Sequence, residues 1–135
     1  MALQTYHGSC HCGAVRYEAD IDFDAGTGRC NCSICTKLRK WGTVIKPENF
    51  RLLAGEDNLS SYQFATKSGH YRFCRTCGLH PFSDAYIEQL GGAIVSINIA
   101  CLDDVPPETL INAPLNWADG RNNAWWEKPA EVRHL

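Results

Sequence analysis

The chain reads as one small, mainly β domain (residues 1–135) stapled by metal, and three observations point there. Seven of its eight cysteines fall into tight clusters, Cys10-His-Cys12, Cys30-Asn-Cys32-Ser-Ile-Cys35 and Cys74-Arg-Thr-Cys77. Short runs rich in β-branched and aromatic residues recur between Gly, Pro, Asn and Asp breaks, as strands do. At 135 residues and 44% hydrophobic, the chain is long enough for one core and short for two.

The elements follow in order. Val15, Tyr17 and Ala19 alternate with Arg16, Glu18 and Asp20, the period of a half-buried strand. Further strands are expected over Trp41 to Ile45, Phe50 to Leu53, Ser60 to Phe64 and His70 to Phe73. The clearest strand is 93–100, Ala-Ile-Val-Ser-Ile-Asn-Ile-Ala, too rich in β-branched residues to prefer helix. Helix is expected only in the turn carrying Cys32 to Arg39 and in a short piece after Pro106-Pro107, starting around Glu108. From Asn116 onward the chain is Trp-rich and is expected to be an irregular covering loop. No solenoid-length repeat and no low-complexity linker is visible.

Cysteines two or three positions apart are poorly placed to bridge each other, because a disulfide demands a specific Cα separation and torsion. They are well placed to close around one Zn²⁺, which takes four tetrahedral ligands. The first residues, Met-Ala-Leu-Gln-Thr-Tyr-His-Gly, lack the charged start and apolar run of an export signal. Cytoplasm is therefore expected, where thiols stay reduced and metal is the better account of the clusters. No apolar stretch reaches the length of a membrane span, so no membrane partner is expected. The formal charge is −2. Two Zn²⁺ add four positive charges and seven thiolates seven negative ones, so the loaded chain would stand at about −5. A nucleic-acid partner, which needs a basic surface, is disfavoured.

Seven ligands do not divide into two fours. The arithmetic suggests one closed structural site and one three-ligand site with a free position, as catalytic zinc is usually held. Spacing alone leaves the pairing open, since any two clusters could share an ion. Cys74-x-x-Cys77-Gly78 is a knuckle-like turn that supplies two ligands and needs two more, which a Cys-x-Cys provides. The middle cluster, three thiols in six residues, can hold an ion by itself without saturating it. On this reading Cys10, Cys12, Cys74 and Cys77 bind the structural zinc, and Cys30, Cys32 and Cys35 bind the catalytic one.

Taken together, Gly8-Ser-Cys-His-Cys-Gly-Ala-Val-Arg16, Cys30-x-Cys-Ser-x-Cys-x-Lys37 and Phe73-Cys-x-x-Cys-Gly78 resemble the glutathione-dependent formaldehyde-activating enzyme family, which includes centromere protein V. Leu102-Asp-Asp and Trp117-Ala-Asp-Gly-Arg121 echo that family's C-terminal part. The resemblance implies twisted antiparallel sheets related to Rab-exchange-factor-like zinc proteins, with the closed zinc on the outer clusters and the second on the middle one. It implies glutathione as the thiol and formaldehyde as the electrophile, joined or parted as S-hydroxymethylglutathione by a carbon–sulfur lyase. Two departures stand out: Asn31 replaces a histidine common in the middle cluster, and the chain is shorter than the founding enzymes.

Cations surround the middle cluster: Arg29, Lys37, Arg39 and Lys40. Arg39 and Lys40 are the candidates for meeting the carboxylates of glutathione, against the plainer reading of a solvated face. His11 could hydrogen-bond a thiolate or lie exposed, and His80 could reach either zinc or sit in the core. Cys101 shares its strand face with Val95, Ile97 and Ile99, so a buried apolar thiol is the expectation. Trp41, Trp117, Trp125 and Trp126 are expected to pack core and loops. Asp119 and Gly120 form a turn signal to which no chemistry attaches. The favoured function is a zinc-dependent carbon–sulfur lyase acting on glutathione or a related thiol. The rival is a zinc-stapled binding module whose second ion has four protein ligands.

Overall fold

The computed structural model describes residues 3–135. Ten strands and two short helices are joined by 3-10 turns. β1 (Gln4–Ser9), β2 (Arg16–Ile21) and β5 (Phe50–Ala54) form a three-stranded antiparallel sheet in the order β1-β2-β5. The second sheet has seven strands: β3 (Thr27–Cys30), β4 (Gly42–Ile45), β6 (Leu59–Tyr62), β7 (Gly69–Cys74), β8 (Phe82–Ile87), β9 (Gly92–Asn98) and β10 (Leu115–Ala118). Their order is β10-β3-β4-β9-β8-β7-β6. The helices are α1 (Ser33–Leu38) and α2 (Pro107–Asn112).

The core lies where β2 meets the second sheet. Val15, Tyr17, Ala19 and Ile21 alternate inward, as their period requires, and pack with Ile45, Val95, Ile97 and Phe82 in one cluster. Tyr17, Phe50 and Phe82 form a ring triangle with centroids 4.6–5.7 Å apart, joining β2, β5 and β8. On the outer face, Arg51 holds Asp20 through two nitrogens and Glu18 through a third, a clamp across β2 and β5. The Leu102-Asp-Asp motif pins β1: Ser9 Oγ donates to Asp103, and the His7 amide and ring meet Asp104 at 2.8 Å.

Most expected elements are present with ends shifted by a residue or two. The strand placed over 93–100 gives way to a 3-10 turn at Ile99–Cys101. Two expectations are corrected. The segment from Asn116 does not begin as an irregular loop, because 115–118 is β10. That strand also runs parallel to β3, so the sheets are not wholly antiparallel. Trp126 is 77% exposed and Trp125 48%, so these two do not pack the core, whereas Trp41 does and donates to Thr27 Oγ1. Among the described residues no helix is long and apolar enough to cross a membrane.

Candidate functional site

The outer clusters meet where the two sheets come together. Cys10 follows the last residue of β1, and Cys74 is the last residue of β7. Each opens a tight turn closed by a glycine amide: Gly13 donates to the Cys10 carbonyl and Gly78 to the Cys74 carbonyl. Both glycines have φ near +80°, the left-handed region that disfavours other residues. The four sulfurs lie within 4.8 Å of one another, with Cys12 Sγ 3.6 Å from Cys10 Sγ and from Cys74 Sγ. A tetrahedron with Zn–S bonds near 2.3 Å has edges of about 3.8 Å, so the donors fit zinc. N–H groups are already turned toward the sulfurs. The Val15 amide donates to Cys10 and Asn58 Nδ2 to Cys74, at 3.3 and 3.2 Å. Backbone amides at Cys12 and Leu79 bring the Cys77 thiol down to about 6, into the range where it ionises at neutral pH.

The middle cluster is built locally. Cys30 ends β3, Cys32 caps the start of α1 and Cys35 lies one turn into the helix. Their three sulfurs also lie within 4.8 Å of one another, and the Cys32 amide donates to Cys30 Sγ at 3.3 Å. Among the described residues no fourth Cys, His, Asp or Glu joins them. The neighbouring Cys30 and Cys35 thiols lower the pKa of Cys32, while contacts with Cys30 and Cys32 push that of Cys35 up.

The C-terminal segment lies over this cluster, with Asn31 at its centre. β10 pairs with β3 so that Ala118 stands opposite Cys30. Asn31 is buried; its Nδ2 donates to Asp119 Oδ1 at 2.7 Å and its Oδ1 accepts from the Arg121 amide at 2.9 Å. Arg121 Nε and Thr36 Oγ1 both donate to the Asn31 carbonyl at 3.0 Å. Asn122 Nδ2 in turn donates to Asp119, whose carboxyl is held below its usual range by Asn122 and Asn31. Gly120 passes so close that a Cβ there would sit 2.5 Å from the Trp125 ring and 2.9 Å from Cys30 Sγ. The Asp119-Gly120 signal therefore marks a clasp over the three-sulfur cluster. Sequence reasoning missed Asn31, Arg121 and Trp125 in this role; the one available hint was an amide standing where a histidine is common.

The four cations separate in the structure. Arg29 lies over the Trp41 ring at 5.6 Å, while Lys37 and Arg39 are exposed. Lys40 turns inward, and its ammonium donates to Ser96 Oγ at 2.8 Å and Ser83 Oγ at 3.2 Å. His11 is exposed in the first turn. Cys101 belongs to neither cluster; it is buried, as expected, and its thiol is raised to about 11 chiefly by that burial. His80 joins neither set of ligands.

The sequence pattern of the family described as "Glutathione-dependent formaldehyde-activating enzyme" matches residues 5–118. A Halomonas elongata protein carrying that family's name is 30% identical, over 58% of this chain and 63% of its own length. The chain thus spans less than two thirds of that relative. A crystal structure of a Rhodobacter sphaeroides protein has the same fold, with a TM-score of 0.68 at 32% identity, covering 82% of this chain and 99% of that one. The family match runs from β1 through all three cysteine clusters to the end of β10, and this chain belongs to the glutathione-dependent formaldehyde-activating enzyme family.

Proposed function

We propose that this chain is a zinc-dependent carbon–sulfur lyase that forms or cleaves the hydroxymethyl adduct of glutathione or a related thiol, working in the cytoplasm with two Zn²⁺ per chain. The observation that carries this reading is the contrast between a four-sulfur and a three-sulfur cluster in one small fold. Zinc held by three thiolates supplies a Lewis-acid position that favours a thiol in its ionised form. Cys30, Cys32 and Cys35 would hold that ion, and the Cys32 amide and the Asn31 clasp fix where their sulfurs stand. Lys40 offsets the net negative charge of three thiolates and one divalent ion. Exposed Arg39 and Lys37 stand at the end of α1, where the carboxylates of glutathione could meet them. The reaction is redox-neutral: a sulfur lone pair forms the C–S bond, the carbonyl π pair moves to oxygen, and the thiol's proton ends on that oxygen.

The test combines metal analysis with exchange spectroscopy. Two zinc ions per chain are expected, with accelerated exchange between formaldehyde plus glutathione and the adduct. In cobalt-substituted protein, glutathione should alter the spectrum of the three-sulfur site and leave the four-sulfur site silent. Its binding releases a proton, so affinity should rise about tenfold per pH unit up to the thiol's own pKa of about 8.5. A second ion with four protein ligands and no response to millimolar thiol would replace the lyase with a binding module.

Gly120→Ala probes the clasp. The new methyl would press on both the Trp125 ring and Cys30 Sγ. The protein should stay folded, while metal affinity at the three-sulfur site falls about 10–100-fold, the usual cost of disturbing groups that orient ligands. Chelator competition reads it; unchanged affinity would separate the clasp from the site.

A further inference from the structure

Beside the three-sulfur cluster lies a cavity of about 10 Å³, walled by Leu38, Lys40, Tyr71, His80, Phe82, Ser83 and Asn98. That volume suits a single water-sized group. Leu38 and Lys40 come from the end of the helix that carries Cys35, and the Lys40 amide donates to the Cys35 carbonyl.

Two walls have unused hydrogen-bonding capacity. The Lys40 ammonium has three N–H groups; Ser83 and Ser96 take two, and no carboxylate pairs with it among the described residues. His80 Nδ1 is, among the described residues, the one buried side-chain nitrogen or oxygen without a partner. A buried ring nitrogen left unpaired is costly, and a catalytic role or a bound polar group accounts for such a nitrogen. Burial and the Lys40 charge keep the imidazole neutral, so one ring nitrogen has a lone pair to offer. The cavity therefore pairs a cationic donor with an acceptor in a space for one oxygen-bearing group.

We propose that this cavity is the subsite for the oxygen of a one-carbon hydroxymethyl group or aldehyde, with Lys40 Nζ donating to that oxygen and His80 Nδ1 accepting its proton. The inference rests on the lyase reading and adds to it the place of the reacting oxygen and two residues. In cleavage, His80 takes the hydroxyl proton, the oxygen's electron pair forms the carbonyl, and the C–S bond pair returns to sulfur; addition reverses each move. Lys40 stabilises the alkoxide character that develops between them.

The experiment uses zinc-loaded full-length protein with ¹⁵N-labelled histidine and ¹³C-labelled cysteine. S-hydroxymethylglutathione should move the cysteine signals of the middle cluster and the His80 Nδ1 signal. S-methylglutathione, which lacks the hydroxyl, should leave His80 still. Lys40→Met should cut adduct exchange at least about tenfold, within the usual range for lost proton-transfer or charge assistance. Cysteine signals that move while His80 stays fixed would overturn the subsite and leave the lyase reading standing. If neither moves, both fall. Lys40→Met exchanging at the wild-type rate would likewise overturn the subsite.

Discussion

Replacing Cys74 by serine should yield a chain that does not fold. Cys74 is fully buried, and its sulfur meets that of Cys12, 62 positions away along the chain. Cys10 and Cys12 follow β1 of the three-stranded sheet, while Cys74 ends β7 of the seven-stranded one and Cys77 lies in the turn after it. An ion held by these four sulfurs therefore locks the two sheets together. Binding free energy at such a site is folding free energy, of order 10 kcal/mol. The whole stability of a domain is only about 5–15 kcal/mol, so losing a large part of that contribution is decisive. Serine also presents a hydroxyl that coordinates zinc far less well than a thiolate. The expected result is insoluble protein, or a soluble form without a cooperative thermal transition and with one zinc fewer per chain. A soluble Cys74→Ser protein that melts at the wild-type temperature would rule out this cluster as the staple.

How much of this was readable in advance depends on where the signal lay. That Cys10, Cys12, Cys74 and Cys77 come together was reached by counting ligands, since a two-ligand turn needs two more, while spacing alone left the pairing open. β2 and β9 were legible because one buried face imposes a strict alternation on Val15, Tyr17 and Ala19 and a β-branched run at 93–97. β1, β3, β8 and β10 were not. Half of Gln4–Ser9 and half of Leu115–Ala118 are exposed, and each strand gives the core too few residues to set a clear period. β10 is a strand because it pairs in parallel with β3, a long-range contact that leaves no local period. The same holds at the candidate site. Asn31 could be seen as a departure from a common histidine, but its partners Asp119 and Arg121 lie 88 and 90 positions away. Lys40 and Arg39 are neighbours of equal charge in sequence; only the left-handed turn at Arg39, φ 50°, sends one outward and the other into the cavity wall.

Cys35→Ser should separate function from fold. Cys30, Cys32 and Cys35 span six residues at the junction of β3 and α1, so an ion among them closes only a short loop. Loop-closure entropy grows with the logarithm of length, so this crosslink restrains the unfolded chain far less than one joining Cys12 to Cys74. The segment above the cluster is held independently, by the β3–β10 pairing and the bonds of Asn31 to Asp119 and Arg121. Removing the Cys35 sulfur leaves all of those in place. The variant should therefore keep its circular dichroism and melt within a few degrees of wild type, equivalent to about 1 kcal/mol or less in a domain of this size. Its three-sulfur site, reduced to two, should lose its ion and with it at least about 100-fold in adduct exchange, a loss of roughly 2.7 kcal/mol of transition-state stabilisation. Cobalt titration should then show one thiolate site where wild type shows two. If instead the variant unfolds, the staple and the reactive centre have been assigned the wrong way round, because only a crosslink between distant elements carries that much stability.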